Sequence, residues 1–380
     1  MKHIDSTTKH TNKNLPKVVF ALLLWAAAVL LTLLARFVPG FAEGYASTIY
    51  PLFTGTVGRI IGLLPFSVAE ILLYVLIFLT AVSVIVCLIH LLACLFSGAP
   101  LLSKTIAVLA VRIACVTGVL ALAYVAFCGI NYHRSTFAEN IGLTVSPSSK
   151  EELADLYASL AESINADSAA VARDEEGIFD IGLSMKDCRK ACVDAMESLG
   201  QDITSLDSFY PQPKPILVWQ LLSYQNVTGV YSPFTIEANY NRDIPCFTLP
   251  FTICHELSHL TGFMREDEAN IIGWLACASS DEPWLRYSGN LTAFITVGNA
   301  LYATNVEAWR QVYGGLCHEA KVDLQANNEY WKRFEGKVAE THEKVNNAYL
   351  KANGQTDGVK SYGRMVDLML AWRRENRLIQ

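Results

Sequence analysis

Six consecutive residues, Cys254-His255-Glu256-Leu257-Ser258-His259, hold the densest chemistry in this 380-residue chain. On a helix, His255 and His259 fall one turn apart on a single face, so two imidazole nitrogens can grip one zinc ion. Glu256 then points toward the metal's water, and the three side chains are the minimum needed to hydrolyse a peptide bond. A catalytic zinc takes three protein ligands and keeps one position open, so a further ligand must come from elsewhere. Gly262 can end the helix and turn the chain back. Glu266, opening Glu266-Asp267-Glu268-Ala269-Asn270, is the expected third ligand, with Glu268 as the alternative and Asp267 behind it. Asn270 lies one turn beyond Glu266, where it can hydrogen-bond a ligand histidine. Tyr362, in Ser361-Tyr362-Gly363, is a candidate for stabilising the oxyanion. One Zn2+ per chain is the expected cofactor, and a peptide or protein the expected substrate.

The elements that must hold these residues are short. Residues 227–231 and 235–240 read as strands with Ser232-Pro233 at the bend, and Pro245 and Pro250 lead into the histidine helix. A strand just before such a helix can pair with an extended substrate backbone, which marks Glu237, Ala238 and Asn239 as a candidate substrate strand. Upstream, Ser149 and Glu152 form a capping box for an amphipathic helix carrying Leu153, Leu156, Tyr157, Leu160 and Ile164. A second helix is predicted from Met185 to Leu199, with Ser184 as its cap and Gly200 as its stop. Cys188 and Cys192 share its inner face and read as core. Downstream, Ile271–Cys277 and Leu291–Tyr302 read as core helices, and a last helix runs from Ser361 to Arg373. The predicted fold class is α+β, mostly helical, with a small sheet next to the histidine helix.

The chain is 52% hydrophobic and 17% charged, and the apolar excess sits in its first third. Residues 1–16 read as a polar cytoplasmic tail and 17–130 as a membrane domain with spans at 18–37, 68–96 and 105–129. Residues 40–64, apolar and aromatic but broken by Gly and Pro, read as an interfacial segment. Ser67 and Glu70 make a capping box for the second span. Lys2, Lys9, Lys13, Lys17 and Lys104 fall on one side, which the positive-inside rule assigns to the cytoplasm. Three crossings then put residues 131–380 outside as one globular domain. The net charge of -6, with no basic run, argues against nucleic acid as a partner. Ten cysteines occur without a CxxC pair, so neither a structural zinc site nor a thioredoxin-like pair is indicated.

His-Glu-x-x-His followed by Glu-x-x-Ala-Asn resembles the gluzincin class of zinc metallopeptidases. The resemblance implies a zincin-like domain in which His255, His259 and Glu266 bind zinc and Glu256 is the base. More closely, Gly129-Ile130-Asn131-Tyr132, Val230-Tyr231-Ser232-Pro233-Phe234-Thr235, Glu237-Ala238-Asn239, the zinc stretch through Cys277, and Ser361-Tyr362 resemble domain of unknown function 3810. That is a family of bacterial multi-pass membrane proteins, and the similarity covers most of the chain. Two features depart from the named peptidase classes. His259 to Glu266 is a short interval for a gluzincin, and Arg265 stands where a metzincin would place its third histidine. The leading expectation is a membrane-anchored zinc endopeptidase in the bacterial cell membrane. Its rivals are an intramembrane metalloprotease and a non-catalytic scaffold or sensor that keeps a zinc site.

Overall fold

The computed structural model describes residues 14–97, 101–356, 358 and 364–378. Most of the predicted tail and the start of the predicted last helix fall outside them. Among the described residues, three helices are long and apolar enough to cross a membrane: α1 (Leu15–Phe37), α3 (Val68–Ser97) and α4 (Leu101–Tyr124). A π turn at Val125–Gly129 and a 3-10 turn at Asn131–His133 carry α4 onward, so its apolar stretch reaches His133. At 1.5 Å per residue α1 spans about 34 Å, enough for a hydrocarbon layer of roughly 30 Å. Their flanks stay uncovered by protein: Leu22, Leu30, Phe78 and Ile113 are all exposed, as expected of helices that are apolar all round. Gly118 lets α4 approach α1 closely, because a Cβ there would sit 3.1 Å from the Leu24 Cβ. The Trp25 indole also donates to the Ala114 carbonyl at 3.3 Å.

Residues 41–62, predicted to lie along an interface, form one helical stretch, α2, bent by π turns at Tyr45–Ile49 and Thr54–Gly58. One face of it is covered by the globular part of the chain, and Tyr50 is completely buried there.

The globular part is helical with two small sheets. Among the described residues its longer helices are α5 (Lys150–Ser168), α6 (Met185–Asp202), α7 (Trp219–Tyr224), α8 (Thr248–His259), α9 (Glu266–Ala278), α10 (Pro283–Thr304), α11 (Val306–Gly315), α12 (His318–Lys332), α13 (Lys337–Ala352) and α14 (Met365–Leu378), preceded by a single helical turn at Phe137–Asn140. The Ser149–Glu152 capping box opens α5 as predicted, with both of its reciprocal bonds present. Gly200 does not stop α6, which runs on to Asp202. It is small because the Leu206 carbonyl passes 2.8 Å from where its Cβ would be. Strands β1 (Ala172–Arg173) and β2 (Phe179–Asp180) form a minor hairpin. In the main sheet β5 (Glu237–Asn241) lies between β3 (Lys214–Ile216), parallel to it, and β4 (Gly229–Ser232), antiparallel to it. One core joins α5, α6, α8, α9 and α10 through Tyr157, Ile164, Met196, Ile253, Leu257, Ile272 and Phe294, all fully buried. Cys188 and Cys192 belong to it.

Two carboxylates lock the sheet to α3. Glu237 on β5 accepts the Val68 and Ala69 amides at 3.0 and 2.8 Å, filling the role of an N-terminal cap for α3. It is also paired with Lys214 at 2.6 Å, both side chains being buried, and Lys214 donates to the Ile61 carbonyl of α2 at 2.8 Å. In the other direction, Glu70 on α3 accepts the Leu217 and Val218 amides at 2.8 and 2.9 Å and the Tyr74 hydroxyl. Ser67 caps Glu70 as the predicted box requires, with its hydroxyl 3.1 Å from the Glu70 amide. The Glu70 carboxylate, however, serves the globular part of the chain.

Candidate metal centre

The histidine helix is α8, buried along nearly its whole length. His255 and His259 stand one turn apart with ring centroids 5.1 Å apart and ring planes perpendicular. His255 Nδ1 bonds Asn270 Oδ1 at 2.8 Å, and His259 Nδ1 bonds the Phe263 carbonyl at 2.8 Å. With an acceptor on each Nδ1, both rings carry their proton there and turn Nε2 outward. Gly262, at φ +87°, makes the turn after α8, and Glu266 opens α9 within 3.2 Å of His255 Nε2. Ligand atoms of His255, His259 and Glu266 all lie within 4.8 Å of one another, close enough to share one metal ion.

The α8–α9 pairing depends on Gly273, whose Cβ would meet the His255 backbone nitrogen at 3.0 Å and its Cα at 3.2 Å. Glu266, Asn270 and Gly273 recur at intervals of four and three, so a single face of α9 delivers the carboxylate, the histidine brace and the close approach. The other two acids of that turn point elsewhere. Glu268 is buried, accepting the Phe137 amide at 2.9 Å and Arg265 at 2.8 Å. Asp267 pairs with Arg364 at 2.8 Å. Arg265 also ties α9 to the end of α4 through the Tyr132 and Arg134 carbonyls.

Glu256 points into the same space. It is 4% exposed, and its Oε2 has no hydrogen-bond partner among the described residues. Burial pushes its carboxyl up to about 8, with Glu266 adding to the rise while His255 and the Tyr231 amide oppose it. For His255, burial alone would lower the pKa, but the neighbouring Glu266 and Glu256 carboxylates turn the net shift upward. Burial holds His259 down to about 4, so its ring is neutral at pH 7. Edge strand β4 runs against this carboxylate: a Cβ on Gly229 would sit 2.5 Å from Glu256 Oε1. Behind His259, Tyr50 of α2 bonds Tyr231 of β4 hydroxyl to hydroxyl at 2.7 Å, and donates to the His259 carbonyl at 3.3 Å. Burial raises both phenols, so both stay protonated.

These groups open into a cleft of about 1030 Å³. It is lined by the edge of β4, by Cys128 and Tyr132 at the end of α4, and by Glu340, His342 and Glu343 of α13.

The fold therefore brings together His255, Glu256, His259, Glu266 and Asn270, five residues singled out by spacing. It does not bring Glu237, Ala238 and Asn239 to a free edge. Strand β5 is hydrogen-bonded on both sides, Glu237 is taken by Lys214 and α3, and the edge bordering the cleft is β4. Tyr362 lies outside the described residues. Gly229, Gly273, Tyr50 and the Phe263 carbonyl were not anticipated. Of these only Gly273 had a readable signal, its place on the Glu266–Asn270 face.

A mostly helical body carried on three helices apolar enough to span a membrane defines a membrane-associated protein of several helices. A family model described as "Protein of unknown function (DUF3810)" matches residues 45–370, most of the chain. The chain belongs to that family. No curated protein and no solved structure matches it.

Proposed function

We propose that this protein is a membrane-anchored, zinc-dependent metalloendopeptidase. His255, His259 and Glu266 would hold the zinc, and two imidazole nitrogens with one carboxylate oxygen suit a four-coordinate zinc that keeps a position open. Zinc, when bound, supplies Lewis acidity toward water and toward a peptide carbonyl. The chain's own residues do the rest. Asn270 and the Phe263 carbonyl keep each ring's proton on Nδ1, so both Nε2 atoms stay available. The Glu256 carboxyl, drawn back to its ionised form by a zinc ion's charge, would then take the attacking water's proton and pass it to the leaving amine. The β4 edge aligns an extended substrate strand across the cleft, the role the sequence suggested for Glu237–Asn239. What supports this reading is one observation: Glu256, whose Oε2 has no partner among the described residues, lines the same cleft as three converging ligand residues. A purely structural metal site has no use for such a base.

The charge distribution favours an N-terminus in the cytoplasm of a bacterial cell and the cleft outside, with the early lysines and Lys104 on the inner side. A compartment-sensitive reporter fused to the C-terminus tests this, and a cytoplasmic signal overturns it. The peptidase reading is tested on the full chain in detergent by zinc analysis and peptide cleavage. Wild type and Glu256→Gln are both expected to hold one zinc, with cleavage by the variant lower by about 10²–10⁴. Wild type that holds no zinc, or equal cleavage by the two, rules the reading out.

A further inference from the structure

Between β3 and the cleft's edge strand lies a stretch poorly suited to water. Leu217, in the turn before α7, and Leu221 and Tyr224, three residues apart on α7, are 52%, 52% and 50% exposed. Helix α7 is docked through Ser223, which is buried and bonds the Tyr330 hydroxyl, while the Trp219 and Tyr224 rings each meet Phe334 edge-on and Tyr224 stays half exposed. The patch is therefore a held surface, not a frayed loop.

Its position is fixed by α3. Glu70, in the first turn of that helix, accepts the Leu217 and Val218 amides, and from Ile71 onward α3 is almost wholly apolar. The patch thus lies at the level where α3 leaves the hydrocarbon. It continues onto the end of α2 and the turn beyond, where Ile60, Leu63 and Phe66 are exposed as well. Lys214 on the Ile61 carbonyl and Pro211 against Gly62 join the two surfaces.

We propose that Leu217–Tyr224 dips into the headgroup layer as a second interfacial contact beside α2, with Trp219 and Tyr224 as its aromatic anchors. The occupant of this surface is bilayer lipid. The cleft then lies close to the membrane surface, because β4 starts five residues after Tyr224 and Cys128 and Tyr132 of the α4 end line it. If the peptidase reading holds, the substrates are membrane-attached or juxtamembrane polypeptides rather than freely soluble ones.

The lipid contact is tested without any activity. A benzoylphenylalanine photocrosslinker is incorporated at Leu221 of the full chain in phosphatidylethanolamine–phosphatidylglycerol vesicles, and adducts are read by mass spectrometry. Lipid adducts comparable to those from the same probe at Leu63, with none from a probe at Glu307 on α11, are expected. Absence of lipid adducts at Leu221 overturns the contact, and crosslinks to a second copy of the chain would make the patch a protein interface instead. The substrate class is read by offering one peptide sequence free and lipid-anchored. The anchored form is expected to be cleaved roughly tenfold faster or more, and Leu217→Gln combined with Leu221→Gln is expected to erase that preference while sparing the free peptide. Equal rates for wild type on the two forms overturn the substrate class. Cleavage of neither form, with lipid adducts present, defeats the peptidase reading and leaves the lipid contact standing.

Discussion

Asn270 touches the metal centre only through His255, so its removal separates bracing from ligation. Without its Oδ1, His255 Nδ1 has no acceptor and the ring loses both its orientation and its preferred tautomer. Asn270→Ala is expected to weaken zinc binding about 10- to 100-fold, measured by competition with a chromophoric chelator. Glu266→Ala should release the metal, whereas Glu268→Ala should keep it and lower the melting temperature, because Glu268 serves the Phe137 amide and Arg265. The reverse order of zinc contents would exchange their roles. Gly229 gives a different contrast. A methyl there overlaps Glu256 Oε1, Cγ and Cδ at 2.5–2.8 Å, so the base must move while all three ligands stay put. Gly229→Ala is expected to cost about 10²-fold in turnover, the usual loss for a reacting group displaced by about 1 Å, at unchanged zinc content. The ligands and brace were legible because helical periodicity sets His255 and His259 on one face of α8 and Glu266 and Asn270 on one face of α9, with Gly262 turning the chain between them. Tyr50 was not, since its partner Tyr231 is 181 residues away and no local pattern links them.

Helices α8 and α9 can deliver ligands to one point only by crossing at close range, and Gly273 permits that crossing. Two effects of Gly273→Ala oppose each other. Alanine gains up to about 1 kcal/mol in helix propensity, while its methyl meets backbone of α8, which cannot swing aside as a side-chain tip would. Overpacking of this kind costs about 1–3 kcal/mol, so net destabilisation is expected, together with weaker zinc binding as Glu266 draws away from His255. A higher melting temperature with zinc affinity intact would show that the crossing has slack. At this scale the sequence was a good guide to where helices begin, since caps such as Ser149–Glu152 act within one turn. It misled at Gly200 because a glycine required by a passing carbonyl looks the same as a terminating one. It also misled at Glu237–Asn239, because alternation along a strand says nothing about whether its neighbours leave an edge free.

The joint between the apolar helices and the globular part decides whether the cleft keeps a fixed height above the lipid. Three apolar runs were plain from length and composition, but nothing local revealed that Glu237 would cap α3 or that Glu70 would reach back to Leu217 and Val218. Lys214 and Glu237 are almost completely withdrawn from water, so removing one charge leaves the other buried without a counter-charge, a change that costs about 3–5 kcal/mol. Glu237→Gln is therefore expected to lower the detergent melting temperature sharply and to speed proteolytic cutting near Pro65-Phe66-Ser67, where the chain enters α3. Lys214→Met added to Glu237→Gln should recover part of the loss, since it removes the stranded ammonium, although the amide caps on Val68 and Ala69 remain weakened. Additive losses in that double variant would mean that the two residues act separately, and a Glu237→Gln protein that melts with the wild type would mean that the globular part is not held to α3 through this pair.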